Sequence, residues 1–219
     1  MKFKDIRTIY FDYDGTIHDC IKIYAPAFRK AYEFLVENNE AAPRQWKNEE
    51  IQEWLGYTSK SMWESFMKDL ESSIKNEASF IIGEEMKRQI SSGSAKLYDG
   101  ALEVLEQLKA RGYNLVFLSN CSIDYMEESS KAFNLRYYFS DIICSEMYGY
   151  IPKHEILQKI KNNYQTKQAI VGDRFHDMES GVKNNIETVF CQYGYGHESE
   201  GDCAAVRIGD IKEILWHFC

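Results

Sequence analysis

The sequence predicts an α/β fold, a parallel sheet flanked by helices and interrupted early by a helical insertion. Three observations carry this. From about Tyr98 onward, short apolar runs alternate with amphipathic stretches, the pattern of successive β-α units. A run of the same kind, Thr8 to Phe11, stands near the N-terminus, and the next one begins only at Leu115. Between them the apolar residues recur at helical rather than alternating spacing.

The first strand, Thr8 to Phe11, runs directly into Asp12-Tyr13-Asp14-Gly15-Thr16. Side chains two apart on extended backbone share a face, so Asp12 and Asp14 are expected to face one pocket, with Gly15 permitting a sharp departure. The insertion, 17–96, carries Phe28, Tyr32, Phe34 and Leu35, then Ile51, Trp54 and Leu55, then Met62, Trp63, Phe66, Met67 and Leu70. It is predicted to be a small helical domain, leaving 1–16 and 97–219 as the α/β domain. The latter resumes with Asp99 as the expected N-cap of a helix carrying Leu102, Leu105 and Leu108, ended near Gly112. Strands are then predicted at Leu115 to Leu118, Ile142 to Cys144, Ala169 to Val171, Thr188 to Cys191 and Ala205 to Ile208.

Ligand sites in open α/β sheets lie at the carboxyl ends of strands. There the second run offers Ser119-Asn120 with a helix expected after Ser122, a hydroxyl and free backbone N–H groups suited to phosphate. The run at Ala169 ends in Gly172-Asp173, with Asp177 four residues on. If Asp12, Asp14, Asp173 and Asp177 converge, each pair repels by about 4 kcal/mol at about 4 Å under an effective dielectric near 20. Only a cation makes that tolerable, and an all-oxygen site suits Mg²⁺, which takes its remaining ligands from water and substrate phosphate. Lys153, after the run ending at Cys144, supplies the remaining positive charge.

Bulk properties narrow the partners. The 219 residues, 44% of them hydrophobic, can bury a substantial core. A formal charge of −8 disfavours nucleic acid and anionic lipid. The N-terminus lacks the apolar run of a signal peptide and no stretch reaches membrane-spanning length, so a cytoplasmic protein is expected. Six scattered cysteines, Cys20, Cys121, Cys144, Cys191, Cys203 and Cys219, form no C-x-x-C pair and are read as reduced thiols. Cys121 is read as a small packing residue, and His18, His154 and His176 as auxiliary or surface histidines.

These motifs, Asp12-Tyr13-Asp14-Gly15-Thr16, Ser119-Asn120, Lys153 and Gly172-Asp173-Arg174-Phe175-His176-Asp177, stand in the order found in the haloacid dehalogenase superfamily, which the chain resembles over nearly its whole length. The resemblance implies a Rossmann-like core with sheet order 3-2-1-4-5 and a helical C1 cap. It implies Asp12 as nucleophile and Mg²⁺ ligand, and Asp14 as the acid that protonates the leaving oxygen and offers a backbone carbonyl to the metal. It implies that Ser119, Asn120 and Lys153 bind the phosphoryl group and that Asp173 and Asp177 complete the metal site. Gly56 and Tyr57 resemble the substrate-specificity loop of capped relatives. The acid at position 14 separates phosphatases from dehalogenases of this fold, because a halide leaves without a proton. The style of Gly172-Asp173-Arg174 and Tyr193-Gly194-Tyr195-Gly196 resembles phosphoglycolate phosphatase, so a small phosphorylated metabolite is the implied partner, with a monomer or homodimer expected.

Two positions depart from that pattern: Lys153 is preceded rather than followed by proline, and position 20 is Cys20 where serine is usual. Neither removes a catalytic group. A phosphomutase of the β-phosphoglucomutase kind shares every motif and is the enzymatic alternative; a non-catalytic phosphometabolite sensor is the other.

Overall fold

The computed structural model describes residues 2–165 and 167–218; Cys219, counted above, lies outside the described residues. Among the described residues, β1 (Thr8–Phe11), β2 (Asn114–Ser119), β3 (Asp141–Cys144), β4 (Gln168–Gly172), β5 (Glu187–Cys191) and β6 (Val206–Ile208) form one sheet in the order β3-β2-β1-β4-β5-β6. Every pairing is parallel. The expected order is therefore observed, with β6 extending the edge beside β5. Central β1 is buried throughout, pairing with β2 on one side and β4 on the other. Chain order reverses there, so the carboxyl end of β1 opens on the crevice where such sheets bind ligands.

The near-continuous apolar runs reflect burial on both faces of the sheet. Between β1 and β2 lie α1 (Ile21–Glu37), α2 (Asn48–Ile51), α3 (Ser59–Phe66) and α4 (Ser72–Ser91). The helices that follow are α5 (Ala101–Ala110), α6 (Ile123–Phe133), α7 (Leu135–Tyr138), α8 (Lys153–Ile160), α9 (Phe175–Asn184) and α10 (Ile214–His217). Ile9, Phe11, Leu115, Phe117, Ala169 and Val171 face one side, against Leu105 and Leu108 of α5. Tyr10, Val116, Leu118 and Ile170 face the other, against Ile156, Leu157 and Ile160 of α8.

The inserted helices gather a separate cluster in which Phe28, Tyr32, Leu35, Ile51, Met62 and Trp63 are buried. Trp54 stacks on Phe28 with ring centroids 5.3 Å apart. Helix α4 lies against α1, Gln89 Nε2 donating to the Ile23 carbonyl at 3.2 Å and Lys30 Nζ to Glu85 at 3.0 Å. The two chain crossings into this region run side by side, the Tyr98 N–H donating to Ile17 and the Asp19 N–H to Lys96, both at 2.9 Å.

Helix α5 starts differently from the sequence reading. Its N-cap is Gly100, not Asp99, and no side chain caps it. Gly100 has φ +83°, and Lys212 packs where a side chain at that position would stand, so a glycine sets the turn and Asp99 falls one residue short of the capping position. The five described cysteines are free thiols, as expected. No described helix is long and apolar enough to cross a membrane.

Candidate active site

Asp12 leaves β1 at the centre of the sheet, its N–H donating to the Val171 carbonyl of β4 at 2.9 Å. This continuation of the ladder fixes the residue beside Gly172-Asp173. Asp12 is 3% exposed, and Asp173 and Asp177 are wholly buried. One carboxylate oxygen from each of the three lies within 4.8 Å of the others.

Lys153, the first residue of α8, points its ammonium between two of these acids. Nζ stands 2.8 Å from Asp12 Oδ1 and 2.6 Å from Asp177 Oδ1. Pro152 holds the N-cap position of α8, so the proline that departs from the family pattern begins the helix that aims the lysine. Asp177 is also the third residue of α9, and its Oδ2 accepts from the Arg174 N–H at 3.1 Å. The same carboxylate thus caps a helix and binds Lys153.

Asp173 is held by a cradle of small residues. Gly15 has φ +83°, and a Cβ at Gly15 or Gly194 would collide with the Asp173 side chain. The Tyr195 N–H donates to Asp173 Oδ2 at 2.7 Å, and Tyr195 Oη donates to Asp19 at 2.9 Å.

Burial pushes the Asp12 carboxyl up to about 7 even against the pull of Lys153, with Asp177 raising it further. Burial, then Asp12 and Asp177, also raise Asp173. Burial alone would lower the Lys153 ammonium, but the Asp12 and Asp177 carboxylates hold it above the usual lysine range. Three carboxylates cluster about one ammonium, and the raised Asp12 and Asp173 carboxyls mark a site that a further cation would relieve. The donor set is all oxygen, which fits a hard divalent cation such as Mg²⁺.

The fourth expected metal residue does not bring its carboxylate to this group. Asp14 Oδ1 instead accepts from Tyr125 Oη at 2.7 Å and lies 2.9 Å from His18 Nδ1. Tyr125 Oη and His18 Nδ1 are themselves 3.0 Å apart, closing a three-membered network. The physical reason is the tight turn after Gly15: the Gly15 N–H donates to the His18 carbonyl at 2.9 Å, which brings His18 back over Asp14. His18 is fully buried and stacks on Tyr13 with centroids 4.9 Å apart, so it is a built part of the site rather than a surface histidine.

Ser119 ends β2 and is buried, and Ser122 caps α6, its hydroxyl accepting from the Tyr125 N–H at 3.3 Å. Asn120 reaches across to the insertion, Nδ2 donating to the Gly56 carbonyl at 3.0 Å. Arg174, 4% exposed, grips the same loop by donating to the Leu55 carbonyl, while its Nε donates to Glu200 at 3.2 Å. A Cβ at Gly56 would stand 2.7 Å from Arg174 Cγ, so this glycine sets a close approach between the two parts of the chain. His176 packs edge-on to Tyr57 at 5.6 Å, and burial lowers its imidazole to about 4.

Sequence reasoning assigned no role to Tyr125, and Arg174, Glu200 and Tyr195 were at most members of quoted motifs. Tyr125 had one signal, its place in the first turn of the helix that starts after Ser122.

Beside Asp14 a cavity of about 530 Å³ opens between the inserted helices and the sheet, with Gly56, Tyr57, Asn120 and Tyr125 in its walls.

The chain is similar to known proteins. The chain is 25% identical over 198 residues to a phosphoglycolate phosphatase of Aquifex aeolicus, covering 87% of this chain and 86% of that one. It is 23% identical over 219 residues to the pyrophosphatase PpaX of Bacillus mycoides, covering 96% and 97%. The fold superposes on a predicted phosphatase from Clostridium acetobutylicum with a TM-score of 0.81 at 20% identity, over 95% of this chain and 96% of that one. The profile of haloacid dehalogenase-like hydrolases matches residues 9–191, from the strand that delivers Asp12 to the end of β5, and the chain belongs to that family.

Proposed function

We propose that this hydrolase is a Mg²⁺-dependent phosphatase that cleaves a small phosphate monoester through an aspartyl-phosphate on Asp12. The observation that carries the reading is the buried ion pair of Asp12 and Lys153, 2.8 Å apart at the carboxyl end of the central strand. Asp12 attacks phosphorus, the bond to the leaving oxygen breaks, and Asp14 gives that oxygen its proton. Asp14 then takes a proton from water as the water attacks phosphorus, and inorganic phosphate leaves with the Asp12 carboxylate regenerated. Tyr125 and His18 engage Asp14 Oδ1 and so leave Oδ2 for the proton. Ser119 and the Asn120 backbone receive the phosphoryl oxygens, and Lys153 steadies both nucleophile and phosphoryl group.

Asp12, Asp173 and Asp177 are the side chains that would hold Mg²⁺, with Asp14 contributing its backbone carbonyl. When bound, the cation neutralises carboxylate and phosphoryl charge, letting the dianionic ester approach Asp12.

The chain divides in this reading into a core, 1–16 and 97–219, and a cap, 17–96, that closes over the site. The separate hydrophobic cluster of the inserted helices and the paired crossings at Ile17 and Tyr98 support it. Gly56 belongs to the closure through Asn120 and Arg174, and the phosphate ester is enclosed beneath it. A cytoplasmic location and a monomer or homodimer belong to the same reading. The names of the relatives make phosphoglycolate the first ester to assay.

The experiment is phosphate release from a panel of monoesters with and without Mg²⁺, for wild type and Asp12→Asn. Mg²⁺-dependent release that vanishes in the variant is expected; release that persists in Asp12→Asn refutes the nucleophile.

A further inference from the structure

Asp14 lines the 530 Å³ cavity, so in the mechanism above the leaving group departs into it. That volume falls within the ~300–1,000 Å³ of pockets that bury drug-sized ligands, and exceeds what a two-carbon acid fills. The walls include rings and thioethers: Tyr57, Met62, Phe80 and Met86 from the inserted region, with Tyr125 and Tyr150 from the rest of the chain. Of these, Phe80 is 62% exposed and Tyr150 41%, large apolar surfaces left uncovered by the rest of the chain.

The charges lining the cavity are lopsided. Asp14, Glu84, Asp124 and Glu146 stand against a single cation, Lys87. The nearby buried cations do not line it: Lys153 is bound to Asp12 and Asp177, and Arg174 to Glu200 and the Leu55 carbonyl. An anionic leaving group would enter a predominantly acidic chamber with no bidentate guanidinium to receive it.

We infer that the leaving group is a bulky uncharged alcohol bearing a planar ring, of the nucleoside kind, rather than a small carboxylate or a second phosphate. The inference rests on the phosphatase reading. The chemistry is complementary at each point: aromatic and methionine surfaces accept a ring face, and hydroxyl or amino groups of such an alcohol donate to the acidic lining.

The test compares kcat/KM for nucleoside monophosphates and nitrophenyl phosphate with that for glycerol phosphate, phosphoglycolate and pyrophosphate. Ring-bearing esters are expected to lead phosphoglycolate and pyrophosphate by roughly tenfold or more, and Phe80→Ala to raise KM for them by roughly tenfold, with far less effect on glycerol phosphate. Glu84→Lys, at an exposed position, is expected to improve phosphoglycolate roughly fivefold. If phosphoglycolate or pyrophosphate leads in wild type, the inference is overturned while the phosphatase reading stands. If no ester is hydrolysed, the phosphatase reading fails, and equilibrium dialysis of adenosine and glycolate against Asp12→Asn decides the pocket: binding of adenosine alone supports the inference, and its absence overturns it.

Discussion

The ammonium of Lys153 stands 2.8 Å from the carboxylate of Asp12, and both side chains are almost wholly withdrawn from water. Removing one partner of such a pair leaves an uncompensated buried charge, which costs more than the pair contributes. Lys153→Ala is therefore expected to destabilise the fold by ~3–5 kcal/mol in chemical denaturation and to abolish phosphate release. Lys153→Arg is expected not to restore activity, because a planar guanidinium cannot occupy the compact position between Asp12 and Asp177.

Mg²⁺ binding has a readout independent of turnover. At a hundredfold excess over Kd, a ligand that binds only the folded state adds ~2.7 kcal/mol, which for a chain of this size raises Tm by roughly 5–10 °C. Asp173→Asn is expected to lose that response. Without metal it is expected to melt no lower than wild type, since the raised Asp173 carboxyl is itself unfavourable when charged and an amide oxygen can still accept from Tyr195.

Tyr125→Phe removes one hydroxyl and leaves the ring. A hydrogen bond to a carboxylate is worth ~1.5–3 kcal/mol, so kcat is expected to fall roughly tenfold or more with little change in KM or Tm. An unchanged kcat would show that Asp14 does not need the hydroxyl.

The inserted helices carry an acid-sensitive element of their own. Hydrogen bonds from Arg88, then Lys30, lower the Glu85 carboxyl from 4.5 to about 2. A depressed folded pKa contributes stability that is fully present above 4.5 and is lost as pH falls through about 2. Glu85→Gln is expected to lower Tm at neutral pH and to flatten the dependence of Tm on pH between those values.

The sheet was legible because its strands are buried on both faces and read as unbroken apolar runs; β2 differs from its predicted span only by Asn114 and Ser119 at the ends. Asp12, Asp173 and Ser119 were legible for the same reason, since each lies at or just past a strand end. The Asp14 network was not. Tyr125 meets Asp14 across 111 positions of chain, and no local pattern encodes a contact at that separation. Of the four carboxylates whose convergence was considered, Asp14 stands apart because Tyr125 and His18 hold its side chain. The Asp99 cap failed to a left-handed glycine that periodicity does not register.

Arg174 and Asn120 hold the inserted region by the main-chain carbonyls of Leu55 and Gly56, and the Arg174 guanidinium also lies over the Tyr57 ring, 5.3 Å from its centroid. The hydrogen bonds of that clasp ignore side-chain identity, which matters at Gly56, where Arg174 leaves no room for a Cβ, and at Tyr57, whose ring Arg174 and His176 meet. The wall positions that belong neither to the clasp nor to the Asp14 network, Met62, Phe80, Glu84 and Met86 among them, can therefore be rewritten by mutation while the clasp and the chemistry beneath it stay the same. On the proposed reading selectivity is in this sense modular, and a laboratory seeking a new ester would randomise those positions alone.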